Sequence, residues 1–514
     1  MSAAASAPSA PSAPTAPPAI PAALAAEIRA AIAEAKTSGR PRFVAWVEAL
    51  PSLAAADGLR AFAWAESRDR SYWERVDAGE LFCAWGSLDE LEHEGSERFA
   101  AVRAWHRDLV ARLRFAGAAR PEGSPICLGG FGFEANASAD PDWKSFPAAR
   151  FRLPEGLVER VDGVGRAVVF ARVDPAASAA GIEAELARRL GEVRAAIALR
   201  GPQPRREGAR GDGDLADHGP EYRVRSDRSH ARFLEQVERA LAEIASGRLA
   251  KLVLARSLTV DHDDAFDVPG FLVRLRALYP SCTLVAVGRG RDTFLAATPE
   301  SLVRVRGRRL ETAALAGSTA RGRTPDEDLA LAEALLASPK ERAEHAHVVD
   351  AMRAVLAPRC ARLEIAPAPS LRRLFGIQHL ETTIEGELAP APPGGIASDP
   401  DGGILSLVEA LHPTPAVAGA PAAAAAAWLR DHEGLERGWY AAPIGWLDAE
   451  AGGAFCVGLR SALIRNGLGP VGRSGASRAR LFAGVGLVAG SDPEQELVET
   501  RIKLRALLAP LTEI

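Results

Sequence analysis

The sequence predicts an α/β (α+β) fold in which mixed strands form the core and helices cover it. Three observations predict this class. Segments with the apolar pattern of strands alternate with segments of helical periodicity along the 514 residues, as packed layers of strands and helices require. Hydrophobic residues make up 47% and charged residues 25% of the chain, which is the balance of a globular protein with a sizeable core. No short tandem repeat indicates a repeat architecture instead.

The first part of the chain begins with an extension and continues as helices and strands. Residues 1–22 are rich in Ala, Pro and Ser. They lack the charged start and the continuous apolar run of a signal peptide, so we expect a disordered extension. From Ala23 to Lys36 the Ala-rich pattern is helical. The segments that follow predict a strand at 42–50, a helix at 96–115 and a buried strand at 126–134.

A stretch with almost no apolar residues marks the best boundary in the chain. Residues 200–222 read RGPQPRREGARGDGDLADHGPEY and are rich in Gly, Arg and Asp. This composition is typical of a long exposed loop. We therefore divide the chain into an N-terminal part of the fold at 23–225, which ends in this loop, and a core at 226–514.

The second part contains the more regular pattern. An amphipathic helix is expected at 231–249, and the apolar periodicity of 326–357 predicts one long helix. A final helix begins within 491–503. The predicted strands cover residues 251–260, 282–290, 294–307, 309–317, 455–465 and 480–490.

Charge and cysteine usage exclude several functional classes. The formal net charge of −4 gives no electrostatic reason to expect nucleic acid or an anionic membrane as a partner. The five cysteines are scattered without a CxxC pair, so we expect reduced thiols, no disulfide framework and no zinc site. No apolar run is long enough to span a membrane. We expect a cytoplasmic protein and a monomer.

Two acidic residues near the C-terminus have the spacing of a helix face. In SDPEQELVETRIK (491–503), Glu496 and Glu499 are three residues apart, and Lys503 follows four residues later. A solvated helix with a supportive Glu499–Lys503 pair explains this stretch on its own.

A second pair of the same spacing lies in the predicted long helix. SPKERAEHAH (338–347) contains Glu341 and Glu344, which share one helix face. If the two helices face each other, four carboxylates meet at one point and repel one another unless a cation lies between them. Mg²⁺ is the natural occupant, because it prefers oxygen ligands and takes one or two carboxylates. Two unrelated solvated helices remain the alternative on these residues alone.

Six motifs follow one another in the second part of the chain. They are TPES (298–301), LAGSTARG (315–322), SPKERAEH (338–345), LHPTPAVAG (411–419), GWYAAPIGW (438–446) and AGVGLVAGSDPEQELVETRIK (483–503). Together they resemble the chorismate-utilising enzymes, a family that includes isochorismate, salicylate, anthranilate and aminodeoxychorismate synthases. The resemblance covers residues 229–514 strongly and the GGFGFE region (129–134) more weakly. It implies the chorismate-binding fold, with a large mixed or antiparallel β-sheet core flanked by helices, and makes 226–514 the catalytic core.

The resemblance assigns a Mg²⁺ cofactor to the two acidic pairs. It implies that Glu344 and Glu499 touch the ion directly or through one water, and that Glu341 and Glu496 hold its coordinated waters. The ion would bind the ring carboxylate of chorismate.

The resemblance also implies how chorismate, a small molecule, is held. Arg460 matches the arginine for the enolpyruvyl carboxylate, a planar anion that a guanidinium fork suits. Tyr440 adds a hydroxyl there, or is a packed aromatic. His379 orients the ring, or is a structural histidine. The other expected contacts are Gly317, Ser318, Gly484, Gly486 and Lys503.

The expected catalytic residues are Lys251 and Glu300. By resemblance, a lysine at the start of the KLVLAR strand distinguishes the family members that use water from those that use ammonia. Lys251 would be the general base, which requires a pKa near the working pH. Glu300, in TPES, would be the acid, which requires a raised pKa and hence an apolar or anionic setting.

These residues predict an isochorismate synthase, in which water attacks C2 of chorismate while the C4 hydroxyl leaves. The lysine used for covalent amination in related enzymes is replaced by Ala316. No glutaminase partner is therefore expected, and anthranilate or aminodeoxychorismate synthesis is disfavoured. The HPTPA and PIGW motifs resemble those of isochorismate synthases more than those of salicylate synthases, which remain the alternative. A non-catalytic paralogue would have lost acid, base or metal residues. The long N-terminal part leans toward the menaquinone branch over the siderophore branch.

Overall fold

The computed structural model describes residues 21–119, 123–199, 222–390, 403–468 and 476–512. The predicted extension at 1–22 and the predicted loop at 200–222 lie almost entirely outside these ranges. No helix within them combines the length and the apolar character needed to cross a membrane.

Eleven α-helices occur in the described residues. They are α1 (Ala22–Ser38), α2 (Ala55–Trp64), α3 (Arg98–Ala111), α4 (Ala179–Ala198), α5 (His230–Ala245), α6 (Val268–Leu278), α7 (Pro325–Ala337), α8 (Pro339–Leu356), α9 (Gly403–Leu411), α10 (Ala422–His432) and α11 (Pro493–Thr512).

The strands of the same ranges alternate with these helices. They are β1 (Arg42–Ala49), β2 (Arg70–Arg75), β3 (Glu80–Trp85), β4 (Asp89–His93), β5 (Leu113–Gly117), β6 (Cys127–Phe131), β7 (Ala149–Leu153), β8 (Gly156–Val161), β9 (Val164–Val173), β10 (Arg223–Ser226), β11 (Lys251–His262), β12 (Thr283–Arg289), β13 (Asp292–Thr298), β14 (Ser301–Arg306), β15 (Arg309–Ala320), β16 (Cys360–Ile365), β17 (Ser370–Arg373), β18 (Ile377–Leu388), β19 (Gly419–Ala420), β20 (Pro443–Leu447), β21 (Gly453–Val457), β22 (Ser461–Arg465) and β23 (Ser477–Leu487).

These strands form two sheets, and each sheet contains strands from both the N-terminal and the C-terminal part of the chain. The larger has 13 strands in the order β10-β11-β23-β22-β13-β12-β2-β3-β8-β9-β1-β5, with β19 beside β11. The smaller has ten, in the order β16-β18-β15-β14-β21-β20-β6-β7-β4, with β17 beside β18. The pairings are antiparallel except for β1 with β5. The expected large, mainly antiparallel sheet core flanked by helices is confirmed.

The core has two layers because strands of the larger sheet are buried on both faces. In β1, Phe43 and Ala45 belong to the cluster between the two sheets. Val44 and Trp46 alternate with them and join a second cluster under α1, α2, α4 and α6, as the two-residue period of a strand requires. Between the sheets, the rings of Phe82 and Trp446 meet edge to face at 5.2 Å.

Three segments that we predicted as single elements each contain two elements in the structure. Residues 294–307 divide into β13 and β14, and 455–465 divide into β21 and β22; in both cases the chain passes from one sheet to the other. Residues 326–357 divide into α7 and α8 because Ser338 caps the second helix, accepting a hydrogen bond from the Glu341 N–H, and proline occupies its first position.

A fourth predicted element is too long. The helix predicted at 96–115 ends at Ala111, and the next residues form β5. The apolar residues there complete the edge of the larger sheet rather than a helix face, and tertiary pairing with β1 overrides the local pattern.

Candidate active site

One cavity lies where the two sheets, α8 and α11 meet. Most of the residues that the motifs singled out line it. They are Glu300, Gly317, Ser318, Glu344, His379, Tyr440, Arg460, Gly484, Gly486, Glu499 and Lys503.

Three predicted site residues do not line the cavity but lie directly behind residues that do. Lys251 is fully buried, and its Nζ lies 2.8 Å from Oε1 of the lining Glu344. Glu341 accepts a hydrogen bond from the Ser318 N–H at 2.9 Å. Glu496 is 2% exposed and accepts a hydrogen bond from Lys340 at 3.0 Å. The structure therefore brings all four carboxylates to one region.

The four carboxylates influence one another electrostatically, both within each pair and between the pairs. Burial, then the charge of Glu344 on the same helix and, more weakly, that of Glu499 on α11 raise the pKa of Glu341. Burial and then the charge of Glu499 raise the pKa of Glu496. Burial alone would raise the pKa of Glu499 too, but the Lys503 ammonium at 2.7 Å and the Ser318 hydroxyl at 2.9 Å hold it below its usual value. The convergence proposed from the two ExxE spacings is thus present.

Three lysines contact these four carboxylates. Lys251 lies against Glu344 at 2.8 Å, although its Nζ has no well-aligned hydrogen bond among the described residues. Lys503 contacts Glu499 and also donates to the Gly484 carbonyl at 2.9 Å. Lys340 lies between the outer pair; burial lowers its pKa, but Glu496, Glu341 and Glu344 together raise it above the usual value.

The carboxylates fit a hard divalent cation with few direct protein ligands. Within the described ranges, no group of three or more acidic, histidine or cysteine side chains is arranged to hold a metal ion as it stands. Mg²⁺ needs no such group, since it takes one or two carboxylates and keeps several waters. Two inner carboxylates facing the cavity with two outer ones behind them match that requirement.

Glu300 sits at the break between β13 and β14, so its side chain enters the cavity where the chain changes sheet. It is 6% exposed, and burial raises its pKa to about 7, although the charge of Lys251 and a 3.5 Å hydrogen bond from Thr414 act in the opposite direction. A carboxyl group with this pKa is partly protonated at neutral pH and can act as an acid.

Arg460 occupies the corresponding break between β21 and β22, with φ of 47°. Such a conformation is strained for a residue other than glycine and occurs mainly at functional sites. Its guanidinium lies over the Tyr279 ring and donates to Nε2 of His379 at 3.1 Å. Its Nη1 is buried and has no hydrogen-bond partner in the described ranges. One N–H is therefore available for an anion in the cavity.

His379 is a neutral imidazole in this setting. Burial and then the positive charge of Arg460 lower its pKa well below the usual value. Because Nε2 accepts from Arg460, the proton is on Nδ1, which faces the Gly317 backbone. This arrangement fits an orienting role rather than proton transfer.

Two glycines of β23 make room beside these groups. A Cβ on Gly486 would lie 2.1 Å from Glu344 Oε1 and 3.2 Å from Lys251 Cε. A Cβ on Gly484 would lie 2.8 Å from the hydroxyl oxygen of Tyr440, whose ring stacks on Phe482 at 5.1 Å. Only glycine allows the strand to approach so closely.

Sequence reasoning missed three contributors to this site. Lys340 directly precedes Glu341, and Thr414 lies within LHPTPAVAG. Both are therefore inside the motifs, but the sequence could not show which residues they contact. Tyr279, under Arg460, lies outside every motif, and nothing in the sequence pointed to it. The convergence of so many titratable groups on one cavity is typical of an enzyme active site.

Comparison with known proteins identifies the family of the chain. The profile of the family described as chorismate binding enzyme matches residues 30–512. A salicylate biosynthesis isochorismate synthase of Pseudomonas aeruginosa is 37% identical over 494 residues, which is 96% of this chain and 95% of that protein. The chain belongs to the family of chorismate-binding enzymes, as the six motifs predicted.

Further relatives match part of the chain or its fold. Isochorismate synthase MenF of Bacillus subtilis is 34% identical over 279 residues, covering 54% of this chain and 55% of that protein. The structure of a putative 2,3-dihydroxybenzoate-specific isochorismate synthase, DhbC, from Bacillus anthracis superposes with a TM-score of 0.65 at 25% identity, covering 89% of this chain and 99% of that one. The menaquinone-specific MenF of Escherichia coli, at 22% identity, has the same fold, with a TM-score of 0.69 and coverage of 94% and 99%.

Proposed function

We propose that this protein is an isochorismate synthase, which converts chorismate to isochorismate. The observation that carries the proposal is that a buried lysine and a buried glutamic acid lie at the same cavity. The lysine is Lys251, which lies behind Glu344, and the acid is Glu300, whose raised pKa leaves its carboxyl able to donate a proton. These are the base and the acid that hydration at one ring carbon and dehydration at another require.

The reaction exchanges one carbon–oxygen bond for another. Lys251 takes a proton from a water molecule as its oxygen bonds to C2. Glu300 gives its proton to the C4 hydroxyl, which leaves as water while the ring double bonds shift. Lysine ends protonated and glutamate ionised, so a proton must return between them before the next turnover. No redox cofactor is required by this balance.

The rest of the cavity would hold the substrate's two carboxylates. The open N–H of Arg460 suits the enolpyruvyl carboxylate, with the Tyr440 hydroxyl nearby. Glu344 and Glu499 would hold Mg²⁺, with Glu341 and Glu496 placing its waters. When bound, the ion would neutralise the ring carboxylate.

The similarity to the P. aeruginosa protein favours a role in salicylate biosynthesis over one in menaquinone biosynthesis. That relative, whose name states salicylate biosynthesis, matches across 95% of its own length. A long N-terminal part therefore occurs outside the menaquinone branch too, and its length does not indicate which pathway this protein serves.

The test is incubation with chorismate followed by chromatography of the products. We expect isochorismate with Mg²⁺ present, and no product in excess EDTA until Mg²⁺ is restored. A Glu499→Gln variant should bind Mg²⁺ poorly in a calorimetric titration. Salicylate as the first product would instead indicate salicylate synthase, and an amino-arene formed with ammonium would refute the assignment of water as nucleophile. Full turnover in EDTA would eliminate the metal site.

A further inference from the structure

The lysines of this chain are distributed in an unusual way. Only five of the 62 Lys and Arg residues are lysine: Lys36, Lys144, Lys251, Lys340 and Lys503. Three of the five contact the glutamate cluster. A chain that uses arginine for nearly all its positive charges therefore has lysine at three positions around one site, which indicates that lysine and arginine are not interchangeable there.

Lys340 is the one of the three that is neither an expected catalytic residue nor an expected substrate contact. It lies in the first turn of α8, where the positive end of the helix dipole disfavours a cation. Its Nζ compensates by contacting Glu496 at 3.0 Å and Glu341 at 3.5 Å. Glu496 is almost fully buried, whereas the Lys340 side chain is about one-third exposed. The ammonium can therefore leave toward solvent, and the carboxylate cannot.

The position of this ammonium shows what it does. It lies 3.0 Å from Glu496 and 3.5 Å from Glu341, the two carboxylates expected to hold the waters of the metal ion. A divalent cation that approaches the cluster is therefore repelled by a positive charge already in place, which weakens its binding to the free enzyme. A substrate carboxylate on the ion offsets this repulsion, so the metal and the anion favour each other's binding.

We infer that Lys340 is a resident cation of the outer carboxylate pair, which weakens Mg²⁺ binding to the free enzyme and makes the metal and the substrate anion bind cooperatively. This inference rests on the proposed function. Lysine suits the role because its ammonium is a compact, mobile point charge, whereas an arginine fork would grip Glu496 with two hydrogen bonds.

The experiment measures Mg²⁺ binding by calorimetry, without turnover, in the full-length protein. Lys340→Met should bind Mg²⁺ about tenfold more tightly than the wild type in the absence of chorismate, a coupling of ordinary size. Lys340→Arg should bind it no more tightly than the wild type. Lys36→Met removes the same charge from the exposed end of α1 and should leave binding unchanged. Unchanged or weaker Mg²⁺ binding by Lys340→Met overturns the inference.

A second measurement guards against a misfolded variant. In thermal melts, Mg²⁺ should raise the Tm of Lys340→Met more than that of the wild type, because tighter binding stabilises the folded state further. If Lys340→Met does not fold, Lys340→Gln, which keeps a hydrogen-bond donor without the charge, replaces it with the same expected results. Wild-type protein that binds no Mg²⁺ with or without chorismate refutes the metal site itself, whereas equal binding by wild type and variant refutes only the role of Lys340.

Discussion

At the residue scale, the site depends on carboxyl groups of the same type in different surroundings. Glu300 is buried near two lysines and still has a pKa raised to about 7. Glu499 is partly exposed, with 29% of its side chain accessible, and the adjacent Lys503 keeps its pKa low. One carboxyl can therefore donate a proton while the other stays ionised for a cation, and their neighbours decide which does which.

This difference predicts an alkaline limit to activity. Glu300 must be protonated to act, so the fraction of active enzyme falls as the pH rises through its pKa of about 7. Because this pKa belongs to the protein without substrate, we expect kcat/KM to decline about tenfold per pH unit well above that value. Glu300→Gln should lose most turnover, and its residual rate should lack this decline. An unchanged alkaline limit in Glu300→Gln would show that another group is responsible.

Lys251 provides a parallel test of the base. Lys251→Ala should keep the fold and should lose at least about a hundredfold in turnover, the usual contribution of general base catalysis. Circular dichroism checks the fold and product chromatography checks the rate. Near wild-type turnover would refute the role of Lys251 as base.

At the element scale, function concentrates where elements break. Pro299 and Glu300 separate β13 from β14, residues 458–460 separate β21 from β22, and Ser338 separates α7 from α8. The last break has a readable cue, a capping serine followed by proline. The strand breaks also contain cues, since Pro299 interrupts the first strand pattern and Gly458 the second. The motifs identified the residues at these breaks, but the local pattern could not predict that the chain changes sheet at each of them.

The close approach of β23 to α8 gives a test at this scale. Gly486→Ala would place a methyl group 2.1 Å from Glu344 Oε1 and 3.2 Å from Lys251 Cε, so both side chains must shift. Because displacements of about 1 Å can cost about a hundredfold in rate, we expect a loss of that order in turnover with the fold retained. Gly191→Ala, on α4 with no atom within 4 Å of the added carbon, is the matched control and should be neutral. Wild-type turnover in Gly486→Ala would contradict this account.

At the scale of the whole molecule, a buried ion pair joins the two sheets. Glu80 of β3 accepts two hydrogen bonds from Arg304 of β14, at 2.6 and 2.7 Å, and a third from Trp73 at 2.8 Å. Burial would raise the pKa of Glu80, but Arg304 outweighs it and lowers the pKa. The pair therefore contributes stability above the carboxyl's ordinary pKa, and this contribution is lost as the pH falls through the lowered value.

Removing one partner should destabilise the fold strongly. Glu80→Gln leaves Arg304 buried without its counter-charge, and we expect a loss of about 3–5 kcal/mol in the free energy of unfolding. Glu385→Gln breaks the exposed pair with Arg309, whose side chains are 66% and 61% exposed, and should cost less than about 1 kcal/mol. Urea denaturation measures both. Equal losses in the two variants would disprove the special importance of the buried pair.

The sequence could predict the class of fold and nearly all of the cavity, because the motifs mark residues such as Glu344 and Arg460 directly. It could not predict which strands neighbour one another. Nothing local indicates that β2 lies beside β12, or that β6 lies beside β20. These neighbours are far apart in the chain, and only packing between the two sheets selects them.

The pairing of β6 with β20 has a consequence for synthesis on the ribosome. About 310 residues separate the end of β6 from the start of β20, so at ordinary elongation rates β6 waits about 15–60 s for its partner. During that time the nascent chain carries a glycine-rich strand edge, open on one side, that other chains could pair with. Chaperone supply during translation would then limit the yield of this protein, independently of how stable the finished molecule is.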